Sequence, residues 1–87
     1  MREEDDVLTT IYRIVAEQMD SAVEDLPDIT SLVPIEMDDL DRVEIANELE
    51  KALRIELPED EHLGWRSLGN IHNSVRNALQ MQEASVR

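Results

Sequence analysis

Residues 38–58 read DDLDRVEIANELEKALRIELP, and this stretch decides the fold. At about 100° per residue, a helix over residues 39–54 places five apolar side chains on one face, which predicts a core-facing surface. These residues are Ile45, Ala46, Leu49, Ala52 and Leu53. Pro58 cannot donate a backbone hydrogen bond and disfavours helical geometry at Leu57. The stretch therefore predicts one amphipathic helix with a defined end.

The opposite face of this helix carries a second, smaller stripe formed by Leu40, Val43 and Asn47. Carboxylates surround that stripe: Asp41, Glu44, Glu48 and Glu50. Such a surface is typical of a protein-docking site. The alternative is an ordinary scatter of exposed apolar residues, which needs no functional explanation.

Two further helices are indicated by apolar residues at spacings of three and four. The first, over about residues 4–19, has Val7, Leu8, Ile11, Ile14 and Val15 on one face, with acids in its first turn. The last, over about residues 68–81, follows Ser67 as a candidate N-cap and carries Leu68, Ile71, Val75, Ala78 and Leu79. Residues 59–66 allow one short helical turn, broken at Gly64, and residues 82–87 are expected to fray.

Residues 20–38 show no helical period and form a long first loop. A loop of this length is unusual in a small domain unless it is anchored. We expect its apolar residues to pack back onto the bundle: Val23, Leu26, Ile29, Leu32 and Ile35.

Composition agrees with an all-α fold in a single domain over residues 1–87. The 87 residues include no Cys or Phe, one Trp, one Tyr and two Gly. β-rich domains usually contain more aromatic residues and turn glycines. We therefore predict a small helical bundle with a core over about residues 4–81: three main helices, one short helical turn and the long first loop.

The formal net charge is −13, from 21 acidic and 8 basic residues. Such a surface repels nucleic acids and anionic membranes and attracts basic partners, although a simple solvated acidic face is the alternative. There is no apolar run of the ~20 residues that a membrane span needs. These features predict a cytoplasmic monomer that binds neither nucleic acid nor membranes.

No arrangement of residues indicates catalysis or a metal site. His62 and His72 are the only histidines, and glycine-rich phosphate loops need more glycines than this chain has. The acids at positions 38, 39 and 41 lack the central glycine of a calcium loop. We expect Trp65 to fill the core, and we do not expect an enzyme.

Three short motifs resemble the acyl carrier protein family. Asp38-Asp39-Leu40 stands where that family has an Asp-Ser-Leu motif at the start of its second helix. A Val43-Glu44 pair, a Leu49-Glu50 pair and the exit Ile55-Glu56-Leu57-Pro58 follow at the family's spacing. The acidic first helix, the long loop and the final helix are similar as well, so the likeness covers nearly the whole chain.

The resemblance implies a carrier of fatty-acyl or polyketide-type intermediates whose acidic second helix docks on basic patches of acyl-chain-processing enzymes. By position it implies docking roles for Asp38, Leu40, Asp41, Val43, Glu44, Asn47, Glu48 and Glu50. Asn47 replaces an apolar residue of the family pattern. Arg42 and Lys51 add positive charge to a normally acidic helix, which we expect to weaken or redirect docking.

Asp39 is the main departure, because the family's serine at this position bears 4′-phosphopantetheine. A carboxylate cannot supply the hydroxyl oxygen of the phosphodiester, so no cofactor can be attached at Asp39. Its negative charge lies roughly where that phosphodiester would lie. Three hypotheses follow: a natural non-carrying partner of a biosynthetic complex, a carrier whose serine was replaced by design, or an unrelated acidic adaptor.

Overall fold

The fold, seen in a computed structural model that describes residues 3–85 and the side chains of residues 6–82, is built from three α-helices. These are α1 (Glu3–Met19), α2 (Asp39–Leu53) and α3 (Leu68–Ser85). Two 3-10 turns lie between them, at Val23–Asp25 and Glu61–Gly64. The predicted all-α bundle is confirmed; the turn at Val23–Asp25 was not predicted. Within the described residues, no helix is both long and apolar enough to span a membrane.

The apolar face of α1 lies in the core as predicted. Ile11, Ile14 and Val15 are buried, and Val7 and Leu8 pack against them while remaining partly exposed. The acids predicted in the first turn of α1 include Glu3, Glu4 and Asp5. Their side chains lie outside the residues whose side chains the structure describes.

The long first loop is anchored by fewer side chains than predicted. Ile29 is buried, and Leu26 and Ile35 pack partly against the core. Val23 and Leu32 are 45% and 70% exposed, so their predicted anchoring roles are wrong. Met37, which the sequence did not single out, is buried instead.

Backbone hydrogen bonds hold the loop where side chains do not. Ile35 donates its N–H to the carbonyl of Arg66 over 2.8 Å, and Gly69 donates to the carbonyl of Ser31 over 2.9 Å. These bonds tie the loop to the start of α3. Leu32 stays mostly exposed, although its Cδ2 lies beside Gly69.

Helix α2 buries a narrower face than its pattern predicts. Ile45 and Leu49 are fully buried, and Ala46 and Leu53 are partly buried. Ala52 is exposed, so its predicted core position is wrong. The covering elements, mainly α1 and the turn at Glu61–Gly64, reach only the central stripe of the helix.

A left-handed residue ends α2 before Pro58 is reached. Arg54 has φ 55° and donates its N–H to the carbonyl of Glu50. The chain then turns inward, and Ile55 is buried.

Helix α3 packs its predicted stripe inward, with Leu68, Ile71, Val75 and Ala78 buried. Ser67 Oγ accepts from the N–H of Asn70 at 3.3 Å, which confirms its capping role. The helix extends to Ser85, beyond the predicted end at about residue 81, and the fraying of residues 82–87 stays a prediction. Residues 86 and 87 lie outside the described part.

Trp65 fills the centre of the core between the second 3-10 turn and α3, as predicted. It is 1% exposed, and its Nε1 donates to Ser74 Oγ over 2.9 Å. Ser74 is itself buried and donates to a carboxylate oxygen of Glu61. This chain of hydrogen bonds fixes the 3-10 turn Glu61–Gly64 on α3.

Candidate functional site at the start of α2

The start of α2 is held by a reciprocal capping box. The carboxylate of Asp38 accepts from the N–H of Asp41 at 2.8 Å, and the carboxylate of Asp41 accepts from the N–H of Asp38 at 3.2 Å. Two N–H groups at the start of the helix are thereby satisfied. Asp39 is then the first helical residue, as the sequence predicts, and its side chain is 91% exposed.

Asp41 links this helix start to α1. Its Oδ1 accepts from the side-chain amide of Gln18 at 3.2 Å. That bond, followed by the bond from the Asp38 N–H, holds the pKa of the Asp41 carboxyl below its ordinary value. Asp41 therefore has a structural role besides the docking role predicted for it.

Arg42 turns toward the body of the domain and away from the docking face. Its side chain is only 14% exposed, and Nε donates to the carbonyl of Trp65 over 3.0 Å. Its second nitrogen, Nη1, lies 2.8 Å from Asp39 Oδ1. The charge of Asp39 is therefore compensated locally by Arg42, three residues further along the same helix.

Beyond this first turn, α2 presents the predicted second stripe to solvent. Leu40 is 64% exposed, Val43 is 37% exposed and Asn47 is exposed. Glu44 and Glu48 are exposed beside them. These five residues, which we call the α2 face, form a small apolar patch bordered by carboxylates.

The other predicted charges near the α2 face are already engaged. Glu50 accepts from the N–H of Leu57 at 2.8 Å, which secures the chain after the helix. Lys51 lies 3.5 Å from Glu48, so part of the acidic charge is paired within the helix. Glu44 and Asp38 are the other exposed docking acids that were predicted, and the Asp38 carboxylate already caps the helix start.

A small cleft of about 110 Å³ adjoins the α2 face, between α2 and the chain that follows it. Val43 and Asn47 line one side, and Leu57, Pro58 and His62 line the other. The sequence could not indicate this cleft, because no local pattern places residues 57–62 beside residues 43–47.

The helix start offers no hydroxyl at position 39 to which a phosphopantetheine arm could be attached. Position 39 offers a carboxylate, whereas attachment needs a hydroxyl. Among the described serine side chains, Ser67 and Ser74 are buried, and Ser21 and Ser31 are half-buried and lie outside the helix start. No group of three or more metal-binding side chains is found among the described residues.

Three comparisons with known proteins bear on this site. A family model described as "phosphopantetheine attachment site" matches residues 9–74, which include α2 and its capped start. The searches of curated proteins and of solved structures gave no significant match.

Proposed function

We propose, because this chain belongs to the phosphopantetheine attachment site family, that it is a carrier-type domain. In this proposal it docks on partner proteins but carries no phosphopantetheine arm. Carrier domains of this kind do not themselves catalyse a reaction. In this proposal the α2 face binds acyl-chain-processing enzymes of fatty-acid or polyketide-type metabolism, and the chain acts as a binding or regulatory partner. Membership of the family excludes the third hypothesis, an unrelated acidic adaptor.

The observation that carries this proposal is the exposed carboxylate at position 39. Asp39 occupies the first turn of a capped helix and is exposed to solvent, on the helix that also bears the α2 face. The exposed face supports docking, and the carboxylate at position 39 supports the absence of an arm. Arg42 pairs with the carboxylate, so Asp39 is also stably accommodated there.

The alternative is a carrier whose serine was replaced by design. The same structure supports both, because either history leaves Asp39 in the same place. The codon for residue 39 in the source gene distinguishes them: a serine codon there means that the natural protein carries.

Restoring the hydroxyl tests the proposal directly. We expect Asp39→Ser, incubated with coenzyme A and a broad-specificity phosphopantetheinyl transferase, to gain the mass of one phosphopantetheine. The parent chain is the matched control and should keep its mass, since its serines lie elsewhere. Intact-protein mass spectrometry reads both. If Asp39→Ser is folded by circular dichroism but stays unmodified, the proposal that this domain docks on carrier-recognising enzymes is contradicted. If the parent chain is modified, the proposal that it carries no arm is contradicted.

A competition experiment measures docking by the unmodified parent chain. An excess of the parent chain should slow modification of Asp39→Ser competitively, because both present the same α2 face to the transferase. Glu44→Lys in the competitor should weaken this inhibition by about fivefold or more, as for a charge reversal in an interface.

Glu24→Lys is the matched control, since Glu24 is an exposed acid of the turn Val23–Asp25, away from α2. Equal effects of the two substitutions would show general attraction by net charge, and the α2 face would then not be the docking site.

A further inference from the structure

A second, larger cleft of about 530 Å³ lies on the other side of the chain segment 58–65, between that segment and α3. Asn70, Asn73, Ser74 and Asn77 line the helix side, and their spacing places them along one face over two turns. The cleft beside the α2 face shares only Pro58 with it. This groove, called the α3 groove, is therefore separate from the site at Asp39.

The floor of the α3 groove is rigid. Trp65 and Ser74 are buried there and joined by a hydrogen bond, and Ser74 is bonded in turn to Glu61. A groove whose floor is packed and hydrogen-bonded in this way cannot close by side-chain rearrangement without breaking those bonds.

The lining of the α3 groove offers acceptors and no cation. Asp60 is exposed, its side chain caps no backbone N–H, and Glu61 uses one oxygen for Ser74. Asn73 and Asn77 are exposed and line the groove. Two carboxylates and two amide oxygens thus face a groove whose lining includes no Lys, Arg or His.

We propose that the α3 groove binds an arginine side chain carried by an extended segment of a partner protein. A guanidinium group has five N–H donors in a planar fork, which matches acceptors spread over both walls better than a compact ammonium does. The volume exceeds that of one side chain, so neighbouring backbone of the partner fits as well, and the Asn amides can bond to it. Charge complementarity selects this occupant over an acidic or neutral segment.

The test uses the folded chain and two peptides, acetyl-Gly-Arg-Gly-amide and its citrulline isostere, which keeps the shape and lacks the charge. We expect the arginine peptide to shift the side-chain amide NMR signals of Asn73 and Asn77 in a saturable way. The citrulline peptide should bind about tenfold more weakly, as expected when a charged hydrogen-bond partner is lost.

Asp60→Asn distinguishes binding in the α3 groove from general attraction by the negative net charge. The Asp60 side chain forms no capping bond, so its loss should not disturb the fold. It should weaken arginine-peptide binding about fivefold. Asp25→Asn removes an equal charge from an exposed position in the other 3-10 turn and should leave the affinity within about twofold.

Three outcomes would overturn the proposal: equal loss in the two variants, equal binding of the two peptides, or shifts confined to α2. None of them depends on modification of position 39, so this test and that of the proposed function fail independently.

Discussion

Trp65→Ala is expected to lower the free energy of unfolding by about 3–5 kcal/mol, as for other large-to-small changes at buried aromatic residues. The ring is 1% exposed, and its Nε1–H is bonded to a buried hydroxyl. Its loss leaves a cavity between α3 and the 3-10 turn, and it also leaves Ser74 Oγ without its hydrogen-bond donor. For a domain of 87 residues this is a large part of the total stability.

Urea unfolding followed by circular dichroism measures this loss. Leu63→Ala is the matched control, because Leu63 lies in the 3-10 turn just before Trp65 but is 51% exposed. We expect the control to change stability by no more than about 0.5 kcal/mol. A loss below about 1 kcal/mol for Trp65→Ala would mean that the ring does not hold the turn on α3.

Gly69→Ala is expected to destabilise the domain by about 1–3 kcal/mol, the usual cost of overpacking. Helix propensity alone predicts the opposite sign, since alanine is favoured over glycine within a helix by up to about 1 kcal/mol. The tertiary contact decides the result. An added Cβ would lie 2.9 Å from the Ser31 carbonyl oxygen and 3.1 Å from that of Thr30. The hydrogen bond from the Gly69 N–H to Ser31 holds this backbone in place.

Gly64→Ala provides the matched control at the other glycine of the chain. No atom lies within 4 Å of an added Cβ there, and φ is not positive. This change should be neutral or stabilising by about 0.4–1 kcal/mol, through the reduced entropy of the unfolded chain. Thermal and urea unfolding of the two variants measure the difference. Similar effects at Gly69 and Gly64 would contradict the close approach of the loop to α3.

The two proposed binding surfaces differ in how far the sequence could reveal them. The α2 face is contained in one helix, so its period alone separates Leu40, Val43 and Asn47 from the core. The α3 groove needs Asp60 and Asn77 from different segments, and no local pattern relates them. Arg42 shows the same limit: its position in the sequence suggested a positive charge that weakens or redirects docking, whereas its Nε is bonded to the carbonyl of Trp65.

The sequence by itself determined the three helices, the core role of Trp65 and the absence of a hydroxyl at position 39. These features depend on residue type and on spacing within one segment, and the local periods and caps that express them act over a few residues. Only the tertiary structure decided which charges are free. Asp41 is bonded to Gln18, Glu50 to Leu57, and Asp39 is paired with a largely buried Arg42. The Asp41–Gln18 and Glu50–Leu57 contacts depend on the path of the folded backbone, so no local pattern encodes them. Asp39 and Arg42 are three residues apart on one helix, so their spacing allows a pair, and the bond from Arg42 Nε to the Trp65 carbonyl fixes where the guanidinium lies.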